Sequence, residues 1–469
     1  MITVTLIVLV VTLSVLWWKY RLKSFLHPAT LFHIIWILSV LSHVIRSYVI
    51  VDQQYLNYID TIYFNELMTY VIFTSLCVLF TVLFIGKGIK NKFTLWSPKI
   101  VVNDTIILLI LTVFAISLYR LFTSGGLDVA AMRHNVLETS TQLRTGVTQL
   151  GPLAFVFNLI VFFNNPLLLY TGFLVSSTTF TSVRKKTRII VYIPLLSGVI
   201  NAFITGGRAA FIYVFVTFFI GYCLGFFRHN KVLNYEKTFK IVSRLLVFFI
   251  IFSSYSTFVM EQRKLYSSSG YQNEYSNFVF LKPFSGIIKY LSAHYPGYSL
   301  DRKFVVSKVP EPGKITLQGL TYFKVPFVSQ ILGEFSIRSL LDIPVTLLPY
   351  RPDNLYGGWS GTTSTVFINI YDDYGYTWSF FIILLFVLAS QFFFIRMFRI
   401  PSKRIMFLFP HIVIYYLWYN SIFSHHLYGN WLTNWFLSYL FFDFMLNAKK
   451  RINYAKAVKS FDPNQIIRL

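Results

Sequence analysis

An apolar run from Ile189 to Phe227 carries a single charged residue, Arg208, set directly after Gly206-Gly207. Such a run is too long for one bilayer crossing and matches two of about 20 residues each. The paired glycines mark the turn, so Ile204-Thr205-Gly206-Gly207-Arg208-Ala209-Ala210-Phe211 reads as the tip of a helical hairpin at a membrane surface. An arginine held there is costly unless something anionic meets it. The stretch commits the chain to a helical, membrane-embedded fold and asks what that anion is.

The remaining sequence follows the same pattern. Only 13% of the 469 residues are charged, about half the share of a soluble protein. Apolar runs of membrane length predict about eleven crossings. They fall near 2–18, 28–46, 64–85, 104–122, 150–176, 189–205, 209–227, 240–258, 376–395, 405–421 and 430–447. Asn164-Asn165-Pro166 predicts a kink or tilt in the fifth. Met1 to Trp18 lacks a positive leader and is followed by Lys19, Arg21 and Lys23. It therefore reads as a first crossing with its N-terminus outside, not as a signal peptide. The expected fold is an all-α polytopic membrane protein. It divides into a bundle at 1–258, a large outer loop at 259–375, further crossings at 376–447 and a basic tail at 448–469.

Placement of charge fixes the expected orientation. Alternating the crossings puts 26 of the 42 Lys and Arg residues on one face with only four acids, Asp104, Glu236, Asp443 and Asp462. The positive-inside rule makes that face cytoplasmic, the C-terminal tail included. The formal charge of +24 is thus mostly topology, and nucleic acid is excluded as the expected partner. Cys77 and Cys223 both lie in apolar segments, so no disulfide framework is implied.

No nucleotide fingerprint, Walker loop or zinc-ligand spacing is present; the adjacent pair His425-His426 points to different helix faces. No metal or cofactor is expected, and any substrate must be membrane-borne or external. The informative residues are arginines expected outside: Arg208 in the hairpin, Arg133 and Arg144 in the loop Ser124–Leu150, Arg263 past the eighth crossing, and Arg120 near the end of the fourth. Guanidinium groups grip phosphate through paired planar hydrogen bonds and keep their charge in a low-dielectric site. Each also suits a plain interfacial position or a pairing with an outer acid. The loop Val259–Gly375 holds stretches, such as 278–291 and 316–332, that read as interfacial helices lying on the membrane. It closes on Gly357-Gly358-Trp359-Ser360-Gly361-Thr362-Thr363-Ser364-Thr365 and Tyr371-Asp372-Asp373-Tyr374-Gly375-Tyr376. Thr363 and Tyr374 there are candidate sugar contacts. Asp373 is a candidate base for a sugar hydroxyl, or a cap of the ninth helix. His294, the single histidine of the long loop, is a second candidate base, or a surface residue.

Taken together, the crossings, the Gly206-Gly207-Arg208 hairpin, the large outer loop and the Thr-rich run ending in Tyr371-Asp372-Asp373-Tyr374-Gly375 resemble the Wzy-type O-antigen polymerases. These are oligosaccharide repeat unit polymerases, related to the O-antigen ligases. Arg133 followed by Leu137 is similar to an Arg-x3-Leu pattern of that superfamily. The resemblance implies a GT-C-type glycosyltransferase of the bacterial inner membrane. It would transfer a glycan from undecaprenyl pyrophosphate to the non-reducing end of a second lipid-linked unit, with a chain-length regulator as a possible partner. Arg208, Arg133, Asp373 and His294 would serve the reaction. Arg120, Arg144, Arg263, Gly206, Gly207, Thr363 and Tyr374 would hold substrate. The alternatives are an O-antigen ligase, a polyprenyl-phosphate-sugar transferase acting through Asp52 or Asp60 in the first outer loop, and a flippase of lipid-linked sugar.

Overall fold

The computed structural model describes residues 1–85, 104–123, 160–176, 185–204, 208–229, 284–304, 365–399, 404–419 and 435–447, with isolated positions at 243–255 and at 310 and 312. Among them regular structure is helical throughout, without a strand. The elements are α1 (Ile2–Tyr20), α2 (Pro28–Val44), α3 (Gln53–Leu56), α4 (Thr61–Ile85), α5 (Asp104–Thr123), α6 (Asn164–Ser176) and α7 (Lys185–Ile204). They continue with α8 (Arg208–His229), α9 (Ser285–Ser292), α10 (His294–Phe304), α11 (Val366–Arg399), α12 (Phe409–Tyr419) and a final helix, α13, over 435–447. Among the described residues five helices are long and apolar enough to span a membrane: α1, α2 with its extension to Ile50, α4, α5 and α11. Shorter apolar helices occupy 160–176, 189–204, 211–227 and 405–418. This is an all-α protein with membrane-spanning helices.

Local chemistry sets the helix ends. A 3-10 turn, Arg21–Leu26, joins α1 to α2. Pro28 opens α2, where a missing N–H costs nothing, and His27 Nδ1 accepts from Ala29 N at 3.2 Å. Asp60 accepts from Ile62 N at 2.8 Å and so caps α4. Lys19 Nζ closes the far end of α4 on the carbonyls of Val82 and Leu83. Aromatic residues mark both ends of the bundle. Trp17 and Trp18 are exposed beside Lys19, while Tyr48, Tyr119, Tyr376 and Trp378 are exposed where α2, α5 and α11 reach the other end.

Packing explains two features of the sequence. The helical run 160–176 is interrupted by a turn at Phe163, directly before Asn164-Asn165-Pro166 as the motif predicts, and α6 is buried from Asn164 through Leu174. A helix apolar on all sides belongs inside the bundle. Helix α8 lies against it at backbone contact: a Cβ on Gly172 would stand 2.0 Å from the Phe218 carbonyl oxygen, and one on Gly221 2.0 Å from that of Leu169. Only glycine permits that approach.

Helix α11 begins at Val366, within the stretch expected to be loop, and runs through to Arg399. Gly375 breaks it with φ 71° and ψ 177°, a conformation open to glycine alone. Asp372 and Asp373 therefore stand at the end of the first helical segment, just before the break from which the spanning part of α11 starts. Helix α9 also departs from expectation. Residues 286–288 and 290–292 are buried, and the helix packs on α2 instead of lying on a membrane surface.

Candidate functional site at one end of the bundle

On α2, Trp36, Ser39, His43 and Arg46 recur at spacings of three and four, so they form one stripe along one face. That stripe seats the α9–α10 pair. Ser39 Oγ lies 3.2 Å from His294 Nε2 and 2.9 Å from the Tyr295 hydroxyl. The Trp36 ring meets His294 edge-on at 5.1 Å, and His43 lies 4.9 Å from Tyr295. Arg46 Nη1 donates to Ser292 Oγ at 3.1 Å. The helix is locally widened to a π turn over Ile45–Ile50, a device that aims a side chain inward.

Arg46 is buried and so is its counter-ion, Asp52. The two form a close ion pair, with a further bond from Nε to Oδ2 at 3.0 Å, and the guanidinium covers the Tyr55 ring at 3.9 Å. Between them Val51 sits in the left-handed region at φ 56°. A β-branched residue there costs on the order of 1–3 kcal/mol. The strain turns the chain so that Asp52 faces back to Arg46 while its other oxygen accepts from Tyr55 N at 2.9 Å.

Helix α4 supplies a second stripe, Tyr63, Glu66 and Tyr70. Glu66 accepts from the Tyr298 hydroxyl at 2.5 Å and from Arg302 Nε and Nη2 at 2.7 and 3.0 Å. The same guanidinium stacks over Tyr371 at 3.8 Å. Burial opposes the charge of Arg302, but the bonds and charge of Glu66 outweigh it and raise its pKa above the ordinary arginine value. Phe367 on α11 touches both Trp36, at 5.9 Å, and Tyr70, at 5.7 Å. Both ends of the long loop thus join one polar and aromatic assembly on α2 and α4.

That assembly contains His294 and takes in the helical segment that carries Asp373. His294 is fully buried, not a surface residue, and burial together with His43 lowers its pKa to about 3, so it is neutral. Asp373 is fully buried and Tyr374 partly so, just before the Gly375 break. Arg120 lies in the last turn of α5, which packs on α7. Asn201 Nδ2 donates to Ser117 Oγ at 2.8 Å, fixing α5 and α7 in register. Arg120 is thereby brought level with the end of α7 at Ile204, and α8 restarts at Arg208. The side chain of Arg208 lies outside the described residues, as do Arg133, Arg144, Arg263, Gly206, Gly207, Thr363 and the pair His425-His426. The calls on the eighth crossing and the basic tail fall largely or wholly outside them too.

Arg46, Glu66, Arg302 and Ser39 escape a reading by composition, because each looks like an ordinary end-of-helix polar residue. The 3-4-3 spacing of Trp36, Ser39, His43 and Arg46 is the signal that finds Ser39 and Arg46; Glu66 and Arg302 carry no such signal. Among the described residues no group of three or more His, Cys, Asp or Glu side chains is placed to hold a metal ion. Comparisons with protein families, curated proteins and solved structures return no match.

Proposed function

We propose that this chain is a membrane glycosyltransferase of the O-antigen polymerase type, with about eleven crossings and a GT-C-like arrangement. It moves a glycan from undecaprenyl pyrophosphate to the non-reducing end of another lipid-linked repeat unit on the outer face of a bacterial inner membrane. One observation carries the reading. The segments around His294 and Asp373, from opposite ends of the long loop, meet in one buried polar assembly at the end of the bundle remote from Lys19, Arg21 and Lys23. That end is the outer one under the positive-inside rule, where lipid-linked substrates would be handled.

In this scheme Arg208, with Arg120 on the neighbouring helix, neutralises charge growing on the departing pyrophosphate, which needs no metal. Arg133, Arg144 and Arg263 add to the same field. Asp373 takes the proton of the acceptor hydroxyl, and His294 orients that hydroxyl. The geometry weighs against a transferase using first-loop acids, since Asp52 is held by Arg46 and Asp60 caps α4.

The test is gene deletion in the host followed by gel analysis of its surface polysaccharide. The expected result is single repeat units without a ladder, restored by the wild-type gene. Arg208→Ala should match the deletion while protein level holds, and Arg208→Lys should rescue poorly. Loss of every repeat unit would point to a ligase or flippase, and a normal ladder from Arg208→Ala would sink the arginine assignment.

A further inference from the structure

His294, Ser39 and Tyr295 form a chain of three hydrogen-bonding groups whose proton order can be settled by inventory. Ser39 Oγ bonds to His294 Nε2 on one side and the Tyr295 hydroxyl on the other. Among the described residues His294 Nδ1 is buried and has no hydrogen-bond partner. If His294 Nε2–H donated to Ser39 and Ser39 donated to Tyr295, two groups would be stranded: the tyrosine proton and the Nδ1 lone pair. If instead Tyr295 donates to Ser39 and Ser39 donates to Nε2, only the Nδ1–H is stranded. Each stranded buried group costs about 1–3 kcal/mol, so the second order wins. The phenol is also the better donor and the imidazole nitrogen the better acceptor. His27 shows the opposite case: its Nδ1 accepts from Ala29 N, so its Nε2–H donates to Gln391 Oε1 at 2.8 Å.

We propose that Ser39 and Tyr295 hold His294 as a neutral Nδ1–H donor, and that its partner is an oxygen of the bound saccharide. The inference rests on the polymerase reading, and it makes His294 a hydrogen-bond donor to substrate instead of a base. Among the described residues Thr365 Oγ1 is likewise buried without a partner, two residues before the Phe367 that packs on the same Trp36. Both groups are buried, so a saccharide oxygen must reach Nδ1 from the side of the ring away from Ser39, with the Ser39 contact kept. A neutral donor suits the place, because burial and the neighbouring His43 keep the ring uncharged.

The test uses the full-length protein in lipid nanodiscs, labelled with nitrogen-15 histidine, with the His294 signals assigned by their loss in His294→Gln. The expected spectrum shows His294 protonated at Nδ1, a mixture of tautomers in Ser39→Ala, and the wild-type pattern again in Ser39→Thr. An Nε2–H tautomer or an imidazolium at neutral pH would overturn the proposal. In cells, His294→Gln retains an amide donor and should keep polymerisation within about tenfold of wild type, whereas loss of a general base costs about 10²–10⁴-fold. A loss of that larger size with unchanged protein level would also overturn it. The tautomer is read without substrate, so its failure is separable from failure of the polymerase reading, which the deletion ladder decides.

Discussion

A buried charged pair, Arg46–Asp52, and a partly buried one, Arg302–Glu66, hold the first turn and the loop helices to the bundle. Asp52→Asn keeps a capping side chain for α3 but leaves Arg46 charged and alone, which should destabilise the protein by about 3–5 kcal/mol. Replacing both partners, with Arg46→Met and Asp52→Leu, should recover most of that loss. Thermal unfolding in detergent, followed by tryptophan fluorescence, measures both. His294 gives a pH signature of definite sign. Its folded pKa, about 3, lies below its ordinary value of 6.5, so the stability it contributes is complete above pH 6.5 and falls as the pH drops toward 3. At pH 5 the loss should be on the order of 2 kcal/mol. His294→Gln should flatten that part of the acid limb; an identical acid limb in the variant would contradict the buried, neutral ring.

At the scale of helices, the sequence reading of spans came close and the reading of joints did less well. Lengths and hydropathy place α1, α2, α4 and α5 within a few residues, because lipid imposes a fixed length and forbids charge. The break at Phe163 falls directly before Asn164-Asn165-Pro166, where the proline motif predicts it. The start of α11 is harder to read, because the aromatic rings of Tyr371 to Tyr374 find partners only in the assembled bundle. The acidic-glycine pair Asp373 and Gly375 stands out in the sequence, and the positive φ of Gly375 supplies its physical reason. Gly375→Ala should cost about 1–3 kcal/mol in backbone strain and displace Asp373, lowering both the melting temperature and the ladder. Gly172→Ala and Gly221→Ala place a methyl against a carbonyl that cannot yield. Each should destabilise by at least about 1–3 kcal/mol, read in the same unfolding assay.

For the whole molecule, orientation is measurable by cysteine labelling, since only two native cysteines need replacing. With Cys77 and Cys223 changed to serine, a single Ser268→Cys should react with a membrane-impermeant maleimide in intact cells. A single Lys90→Cys should react only after permeabilisation. The reverse pattern would turn the charge argument over and move the polar assembly to the cytosol. The candidate site itself was half legible. His294 and Asp373 could be named from the sequence, but their seat on α2 and α4 could not, since it joins residues more than 200 positions apart.

That separation has a consequence in time. Ser39 and His294 are 255 residues apart, and at about 5–20 residues per second a ribosome needs tens of seconds to cover the distance. Throughout that interval the stripe of Trp36, Ser39, His43 and Arg46 is already in the membrane while its cover is still unsynthesised. The nascent protein must keep a polar furrow shielded from lipid until α9 and α10 arrive, which makes their arrival the moment at which the N-terminal half becomes mature.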